Sequence, residues 1–463
     1  MNQFHIILAS VLSLSIVLGC SKEESFLDQK PNQSLIIPTT ISDFEKILNN
    51  QELFNIITDH SLGTAASDEY YLPDAVLNGL SSEYIRNQYF WAPKIEEGSL
   101  AANYGSEWKR AYEQIFNCNV VLEGLEKLSL QEKAKSFYQE IKGRALFLRS
   151  WAFYNLIQTY AMPYDPATAS SVHGIPLRLS SDINAVSVRA TVNECYRQIL
   201  EDLNTASGIL PDLSVYKPHP SAVACLGFMA RIYLAMAEYE KAMEYADLFL
   251  TKYPVLTDFN TLPEVRNTSI STAFLEEDVF QVSMNSDSPA LRQRARIFKE
   301  FYDLYDDNDL RKTRYFRINN GEIFFKGSYT YIGNHYTGIA TDEIYLIRAE
   351  CYARSNQTEL ALQDLNHLLK FRWNAQSSFI PLQANTAKQA LGIILTERRK
   401  ELLFRGLRWT DLRRLNEEDG LKTVLHRVVN GKVYSLSPGD KRYVLPIPAE
   451  EIQLSGIQQN DRD

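Results

Sequence analysis

The fold is decided by the segment from Thr396 to Leu415, TERRKELLFRGLRWTDLRRL, in which arginines interrupt an apolar helical pattern. Thr386 and Gln389 have the spacing of a capping box, so we expect the helix to begin there. Arg398 falls on its apolar face, and a buried charge is tolerated only when it is paired and hydrogen-bonded. We expect Glu401, one turn further on, to be the partner of Arg398. The other residues of this face are Leu391, Ile394, Leu395 and Leu402.

A second short helix is expected to follow within the same segment. Gly406 predicts a left-handed cap that closes the first helix, and Trp409, Leu412 and Leu415 continue an apolar stripe beyond it. The simplest interpretation is a helical hairpin whose basic residues face water. The succession Glu-Arg-Arg-x-Glu-Leu, then Gly-x-Arg-Trp-x-Asp-Leu, also resembles the late segment of the SusD/RagB family of nutrient-binding outer-membrane lipoproteins.

Two other segments share a spacing of small and aromatic residues that is typical of helical hairpins. Small residues at this spacing let two helices approach closely, as in tetratricopeptide repeats. We therefore predict a mainly α fold, a tetratricopeptide-like scaffold of helical hairpins with long loops and a few short β-strands, and the SusD-like resemblance implies the same. The matching positions are Ala230, Tyr233 and Ala242 in the first segment and Ala349, Tyr352 and Ala361 in the second.

Two more capping boxes predict further helices. Ser129 and Glu132 predict a helix that runs on to about Tyr160, and Thr191 and Glu194 predict another. Residues 143–156, inside the first of these, are apolar around much of the helix circumference, which is typical of a central helix.

Long connections without periodicity separate the predicted helices. Loops of this length are uncommon unless they are functional, so we expect binding residues on them. One short strand pair is predicted where Phe324-Phe325 and residues 329–332 would turn at Gly327-Ser328. The connections are residues 51–106, 161–190, 254–292, 307–341 and 416–444.

The amino terminus predicts export and lipidation. Residues 6–19 form an apolar run that is too short for a comfortable membrane span and suits a signal peptide. The run ends at Leu18-Gly19-Cys20, which resembles the lipobox of bacterial lipoproteins, although a hydrophobic strand with an incidental cysteine is the alternative. We therefore expect a signal peptide at residues 1–19, a tether lipidated at Cys20 over residues 20–37, and a SusD-like helical domain over residues 38–463.

Composition excludes several classes of function. A net charge of −9 argues against nucleic acid as a partner. No nucleotide-binding, serine-hydrolase or zinc-protease motif is present, and the seven histidines are scattered, so we predict no enzyme, no cofactor and no metal site. The cysteines besides Cys20 are expected to be buried free thiols, with disulfides as the alternative. They are Cys118, Cys195, Cys225 and Cys351.

Aromatic residues crowd two of the long loops and are the best candidates for a binding site. A sugar ring presents apolar C–H faces and a rim of hydroxyls, so its site needs flat aromatic surfaces beside polar groups. The alternative is that these aromatics hold the loops onto the helices, and we expect this of most of them. The candidate ligand residues are Trp91, Tyr70, Tyr71, Tyr89, Asn87, Tyr329 and Tyr331.

The family resemblance extends from Cys20 to Asn460 and implies a function. It implies a cell-surface lipoprotein of the outer membrane that binds oligosaccharides or polysaccharides and delivers them to a SusC-like TonB-dependent transporter. Resemblance to the RagB branch allows oligopeptides as the alternative ligand. A surface glycosidase is a third hypothesis, because two carboxylates could be recruited from anywhere in the chain.

Overall fold

The computed structural model describes residues 38–80, 82–95, 106–264, 269–284, 294–330 and 334–462. The predicted signal peptide and tether, with the predicted lipidation site Cys20, lie outside the described residues, and so does Tyr331. Within the described chain no helix combines the length and the apolar character that a membrane span requires.

Helices dominate the described chain, as the sequence predicted. Among the residues that the structure describes, the strands form four antiparallel pairs, β1–β2, β3–β6, β4–β5 and β7–β8. The helices are α1 Ile41–Leu48, α2 Gln51–Phe54, α3 Leu62–Ala66, α4 Asp74–Asn78, α5 Glu83–Tyr89, α6 Ser106–Glu126, α7 Leu130–Lys133, α8 Ser136–Tyr160, α9 Val192–Ile209, α10 Ala222–Ala235, α11 Tyr239–Lys252, α12 Lys299–Tyr302, α13 Leu310–Tyr315, α14 Thr341–Arg354, α15 Thr358–Lys370, α16 Ala387–Glu401, α17 Arg408–Leu415 and α18 Ala449–Ser455. The strands are β1 His173–Pro176, β2 Arg189–Thr191, β3 Asp278–Phe280, β4 Phe316–Asn319, β5 Glu322–Phe325, β6 Ile339–Ala340, β7 Leu425–Val429 and β8 Lys432–Leu436.

The two predicted repeats form helical pairs, α10 with α11 and α14 with α15. Their four small residues are all fully buried between helices, as close helix packing requires. The mainly α, tetratricopeptide-like prediction is therefore confirmed. These residues are Ala230, Ala242, Ala349 and Ala361.

The helix predicted from Ser129 to Tyr160 is interrupted near its start. Ser129 does cap a helix, because its side chain accepts a hydrogen bond from the backbone N–H of Glu132. That helix, α7, ends at Lys133, and Lys135 adopts an extended backbone before α8 begins. The break separates α7 from α8, which packs along α6 and α9. Neither glycine nor proline marks the break, so the sequence pattern did not reveal it.

The predicted strand pair at Gly327-Ser328 is wrong, because Phe324 and Phe325 pair with an earlier strand. β4 and β5 are joined by Asn320-Gly321, whose φ angles are 50° and 78°. A second hairpin, β7–β8, lies in the connection 416–444 and turns at Asn430-Gly431, with φ angles of 48° and 76°. Asn-Gly suits a two-residue turn with two left-handed residues, so this dipeptide was the signal that the sequence analysis overlooked.

The segment from Thr396 to Leu415 forms the predicted pair of helices, but several of its contacts differ from those that the sequence predicted. The Thr386 side chain caps α16, but the Gln389 side chain accepts from the backbone N–H of Asn385 instead of completing a box with Thr386. α16 ends at Glu401, before the left-handed Gly406, which lies in the turn to α17. Trp409, Leu412 and Leu415 are buried as predicted.

The arginines of this segment lie mostly inside the protein and not in water. Arg398 pairs with Asp411 on α17, with Nε 2.9 Å from Oδ2, so the predicted pair with Glu401 is wrong. Glu401 instead accepts from Arg311 at 2.8 Å and from Arg372 at 2.7 Å, and all three side chains are at most 1% exposed. Both partners come from other parts of the chain, which a local pattern cannot show. The ion pairs satisfy charges that burial would otherwise make very costly.

The four cysteines of the helical domain are buried free thiols, as expected. Each is at most 1% exposed, and burial raises the pKa of the Cys195 and Cys351 thiols to about 12. They therefore behave as small apolar side chains of the core.

Candidate functional site

A cleft of about 440 Å³ opens where residues 298–304, including α12, face β7 and the end of α16. We call it the aromatic cleft. It combines aromatic and apolar side chains with charged ones, the mixture that a small polar ligand needs. The residues that line it are Asp68, Tyr70, Trp91, Phe298, Glu300, Phe301, Leu304, Arg399, Leu425, His426 and Arg427.

The outer wall of the aromatic cleft presents exposed apolar surface. Phe298 is 38% exposed and Leu304 is 48% exposed. Tyr71 packs against Phe298, with their ring centroids 4.9 Å apart. The backbones of Tyr71 and Arg296 form a two-way bridge at 2.8 and 2.9 Å, which holds the two aromatic residues side by side. Phe298 is therefore a firmly supported ring with an exposed surface.

The inner wall contains two of the predicted ligand residues, Trp91 and Tyr70. Both are only 1% exposed. The Trp91 indole N–H donates to the Ala66 carbonyl at 2.9 Å, and the Tyr70 hydroxyl donates to the Ala65 carbonyl at 2.8 Å. Trp91 also packs in an apolar cluster with Trp409 and other core residues. Because so little of either ring faces solvent, both rings support the wall of the cleft from inside the protein.

Three other predicted residues that the structure describes, Tyr89, Asn87 and Tyr329, do not line the aromatic cleft. The Tyr89 hydroxyl accepts from the backbone N–H of Leu72 at 2.8 Å, and the Asn87 amide donates to the Ile95 carbonyl at 3.2 Å. Tyr329 is 2% exposed, and its hydroxyl donates to Asp342 at 2.9 Å. These contacts hold loops onto the helices, as expected for most of the aromatics. The structure does not bring Tyr329 together with the first loop at one surface.

A carboxylate at the edge of the aromatic cleft is shared by two guanidinium groups. Asp68 accepts two hydrogen bonds from Arg408, at 2.6 and 2.8 Å, and lies 3.2 Å from Arg399. Burial by itself would raise the pKa of Asp68, but these guanidinium groups outweigh burial and hold the pKa well below its usual range. Asp68 is therefore ionised near neutral pH, and it anchors Arg399 at the rim.

Glu69, next to Asp68 in the sequence, is a buried carboxyl group that accepts hydrogen bonds from neutral donors and, among the described residues, not from a guanidinium group. It is 3% exposed and accepts from the Phe404 backbone N–H at 2.7 Å and from the Ser67 hydroxyl at 3.0 Å. Burial raises the pKa of Glu69 to about 7, and these hydrogen bonds only partly oppose the effect of burial. Near neutral pH this carboxyl is therefore partly protonated.

The raised pKa of Glu69 predicts that the protein loses stability as pH rises. Folding favours the protonated carboxyl, so this contribution is full below the unfolded pKa of 4.5 and is lost as pH rises through about 7. In the wild type, the titration of Glu69 should lower the free energy of unfolding by roughly 2 kcal/mol between about pH 5 and pH 8. In Glu69→Gln this part of the fall should be missing, because the glutamine side chain does not titrate. Urea unfolding of both proteins at both pH values measures these free energies. An equal change in the free energy of unfolding with pH in the wild type and in Glu69→Gln would contradict the prediction.

Sequence reasoning missed the residues that most clearly shape the aromatic cleft, namely Phe298, Arg399 and Arg427. Arg399 lies in the segment from Thr396 to Leu415, and the sequence pattern indicated only that it is part of a helix. Arg427 belongs to the run from Leu425 to Val429, which alternates buried and exposed side chains and precedes Asn-Gly. The alternation of burial is visible only in the structure, but the Asn-Gly dipeptide was available as a hairpin signal. Nothing in the local sequence marks Phe298.

Fold and cleft together define a class: a tetratricopeptide-like helical protein with a ligand-sized cleft formed by its connecting loops. Two family models match consecutive parts of the chain. The SusD-like_3 model, "Starch-binding associating with outer membrane", matches residues 25–234, and the model of the SusD family matches residues 290–462. The chain belongs to the SusD/RagB family, as its sequence motifs indicated.

Individual relatives agree with this assignment. SusD-like protein P2 of Formosa agariphila is 26% identical over 178 residues, a match that covers 38% of this chain and 33%, about a third, of that protein. The crystal structure of a SusD superfamily protein from Bacteroides thetaiotaomicron covers 91% of this chain and all of its own, with a TM-score of 0.72 and 21% identity. A SusD-like carbohydrate binding protein from Bacteroides vulgatus covers 90% of this chain and 97% of its own, with a TM-score of 0.67 and 20% identity. At these identities the solved structures show the shared fold.

Proposed function

We propose that this protein is a lipid-anchored protein of the outer-membrane surface that captures glycans in the aromatic cleft and delivers them to a SusC-like TonB-dependent transporter. The observation that carries the proposal is the exposed Phe298 ring, supported by Tyr71 and flanked by the charged side chains of Arg399 and Glu300. Such a ring can stack on the C–H face of a sugar while the charged groups bind its hydroxyls. Of the predicted ligand residues, Trp91 and Tyr70 support this cleft from behind and Tyr71 supports Phe298.

Membership of the SusD/RagB family supports the location and the partner in this proposal. One matching family model carries the description of a starch-binding protein associated with the outer membrane. The apolar run before Cys20 and the acidic residues after it suit a lipoprotein displayed on the cell surface. Lipidation would anchor the protein stably, because each buried methylene group contributes about 0.8 kcal/mol.

The charges of the aromatic cleft favour binding over glycoside hydrolysis. A glycosidase needs one carboxylic acid that is protonated near neutral pH and a second carboxylate across the scissile bond. Asp68 is held ionised by Arg408 and Arg399, so it cannot serve as that acid. Glu69 has a pKa near 7, but its oxygens accept from Phe404 and Ser67, and it does not line the cleft.

Replacing Phe298 by alanine tests the proposed site. We expect affinity for the cognate glycan to fall about 10-fold, which is about 1.4 kcal/mol and part of the ~1.5–3 kcal/mol available from burying a phenylalanine side chain. Stability should change little, because the exposed ring contributes little to the core. Affinity electrophoresis through gels containing different polysaccharides would identify the glycan, and calorimetry would then measure the two affinities.

Two matched variants complete this test. Phe298→Tyr keeps a flat ring and should retain most of the affinity. Leu454→Ala removes apolar surface that is 80% exposed on α18, outside the cleft, and should change nothing. Unchanged glycan affinity in Phe298→Ala would place the binding site elsewhere. Heat from mixed oligopeptides, with no response to any glycan, would favour the peptide-binding alternative.

Anchor and partner are tested separately from the cleft. We expect a labelled fatty acid to be incorporated into the wild type and not into Cys20→Ala. We also expect the wild type to co-purify from the outer membrane with a TonB-dependent transporter. Label that persists in the variant would refute lipidation at Cys20 without affecting the proposed cleft.

A further inference from the structure

We propose that the aromatic cleft selects glycans that carry carboxylate or sulfate groups over neutral glycans, because its wall contains guanidinium charge that the protein does not neutralise. This inference rests on the proposed function and specifies the substrate class of the same site. It depends on Arg427 and Arg399, which line the cleft from different elements, β7 and α16.

Arg427 is held in place without an anionic partner. It is 6% exposed, and its guanidinium carbon lies 3.6 Å from the Tyr89 ring centroid and 5.0 Å from that of Trp91. Its Nη2 donates to the Ser67 carbonyl, and its Nη1 has no hydrogen-bond partner within the described chain. None of the ion pairs formed by the described residues includes Arg427.

This arrangement positions a positive charge but does not cancel it. Aromatic faces and carbonyl oxygens attract a guanidinium group through a quadrupole and through dipoles, so the full unit charge remains. Most other buried arginines among the described residues form an ion pair with a carboxylate. For example, Arg405 pairs with Asp342 at 3.0 Å, and Arg414 pairs with Glu350 at 2.6 Å. A buried cation without a counter-ion is costly unless an anion approaches it. Because Arg427 lines the aromatic cleft, a ligand bound there is the group best placed to supply that anion.

Arg399 adds a cation at the rim of the cleft. Its side chain is 30% exposed, its guanidinium carbon lies 4.9 Å from the Phe301 ring centroid, and its Nε has no hydrogen-bond partner in the described residues. The carboxylate nearest to it, Asp68, already accepts two hydrogen bonds from Arg408. Asp68 is therefore shared by two guanidinium groups, and the neighbouring Glu69, whose pKa burial raises to about 7, balances them only in part.

Among the described charged residues that line the cleft, Arg427 is the one whose charge is left without a counter-ion. Two cations, Arg399 and Arg427, line the cleft with two carboxylates, Asp68 and Glu300, but Asp68 is bound by Arg408 and Arg399, and Glu300 is exposed and screened by solvent. Guanidinium groups match carboxylate and sulfate oxygens in shape and charge, and the Phe298 ring offers a surface for the sugar that carries them.

Matched pairs of ligands test the inference with the mature chain beginning at Ser21. Oligogalacturonate is compared with its carboxyl-reduced neutral form, and a sulfated galactan oligosaccharide with its desulfated form, by calorimetry at about 20 mM and 200 mM NaCl. We expect at least one charged form to bind about 10-fold or more tightly than its neutral partner at low salt. The preference should shrink at high salt, because part of it acts through Arg399, which is partly exposed to solvent.

Variants assign this preference to the cleft. Arg399→Gln should reduce the preference to less than about 3-fold, and Arg399→Lys, which keeps the charge, should retain part of it. Lys388→Gln removes the same charge from an exposed position on the same helix, about 16 Å away along its axis, and should leave the preference unchanged. The ligand comparison in the wild type does not depend on any variant folding correctly.

Each outcome separates this inference from the proposed function. Equal binding of charged and neutral glycans, weakened by Phe298→Ala, would overturn the charge preference and leave the proposed function intact. A charge preference that persists in Arg399→Gln, in Arg427→Gln and in Phe298→Ala would place anion recognition outside the cleft and overturn the inference. Binding of oligopeptides with no glycan bound would overturn both.

Discussion

Replacing Glu401 by glutamine is expected to lower the free energy of unfolding by about 3–5 kcal/mol. Glu401 is fully buried and accepts from Arg311 at 2.8 Å and from Arg372 at 2.7 Å. Glutamine keeps the size of the side chain but removes the negative charge between two buried guanidinium groups. Their other partners, among them Asp309 and Glu277, cannot move to replace it in a packed interior.

Urea unfolding at neutral pH measures this effect. Glu244→Gln, an exposed position on α11, is the matched control and should stay within about 0.5 kcal/mol of the wild type. If both variants were equally stable, the network around Glu401 would not be important for the fold. Added salt should not restore the stability of Glu401→Gln, because buried pairs are poorly screened.

Replacing Trp91 by alanine is expected to destabilise the protein by about 3–5 kcal/mol, the usual range for truncating a buried tryptophan. The indole is 1% exposed, and its N–H donates to the Ala66 carbonyl at 2.9 Å. It also forms part of the aromatic surroundings that hold Arg427. We expect glycan affinity to be lost together with stability, because the wall of the cleft collapses.

Comparing Trp91→Ala with Phe298→Ala separates structural support from ligand contact. Phe298→Ala should lose affinity at nearly unchanged stability, whereas Trp91→Ala should lose both. Trp91→Phe should have an intermediate stability, because it keeps a ring and loses the hydrogen bond. A Trp91→Ala variant as stable as the wild type but unable to bind glycan would show that Trp91 contacts the ligand directly.

Much of the scaffold was predictable because its signals are local. Thr191 and Glu194 form the complete capping box that the sequence indicated, and α9 begins at the next position. Helical periodicity likewise predicted the paired helices and the buried central helix α8. The turns at Asn320-Gly321 and Asn430-Gly431 were equally local and could have been predicted from the same sequence.

The candidate site was only partly predictable. Composition drew attention to the first aromatic loop, and Tyr70 and Trp91 of this loop line the aromatic cleft. It could not show that their rings are almost fully buried, because burial depends on what packs over a loop. The exposed ring at the cleft, Phe298, comes from a segment more than 200 residues further along the chain.

The sequence by itself determined the family, the helical class of the fold and the ends of several helices, because capping, periodicity and motif spacing are properties of neighbouring residues. Tertiary structure alone decided which charges are partnered. Arg398 pairs with Asp411 and not with Glu401. Arg427 lies on aromatic rings and forms no ion pair among the described residues. These outcomes depend on groups brought together from distant parts of the chain, and the free energy of a buried charge is set by such neighbours and not by its own position in the sequence.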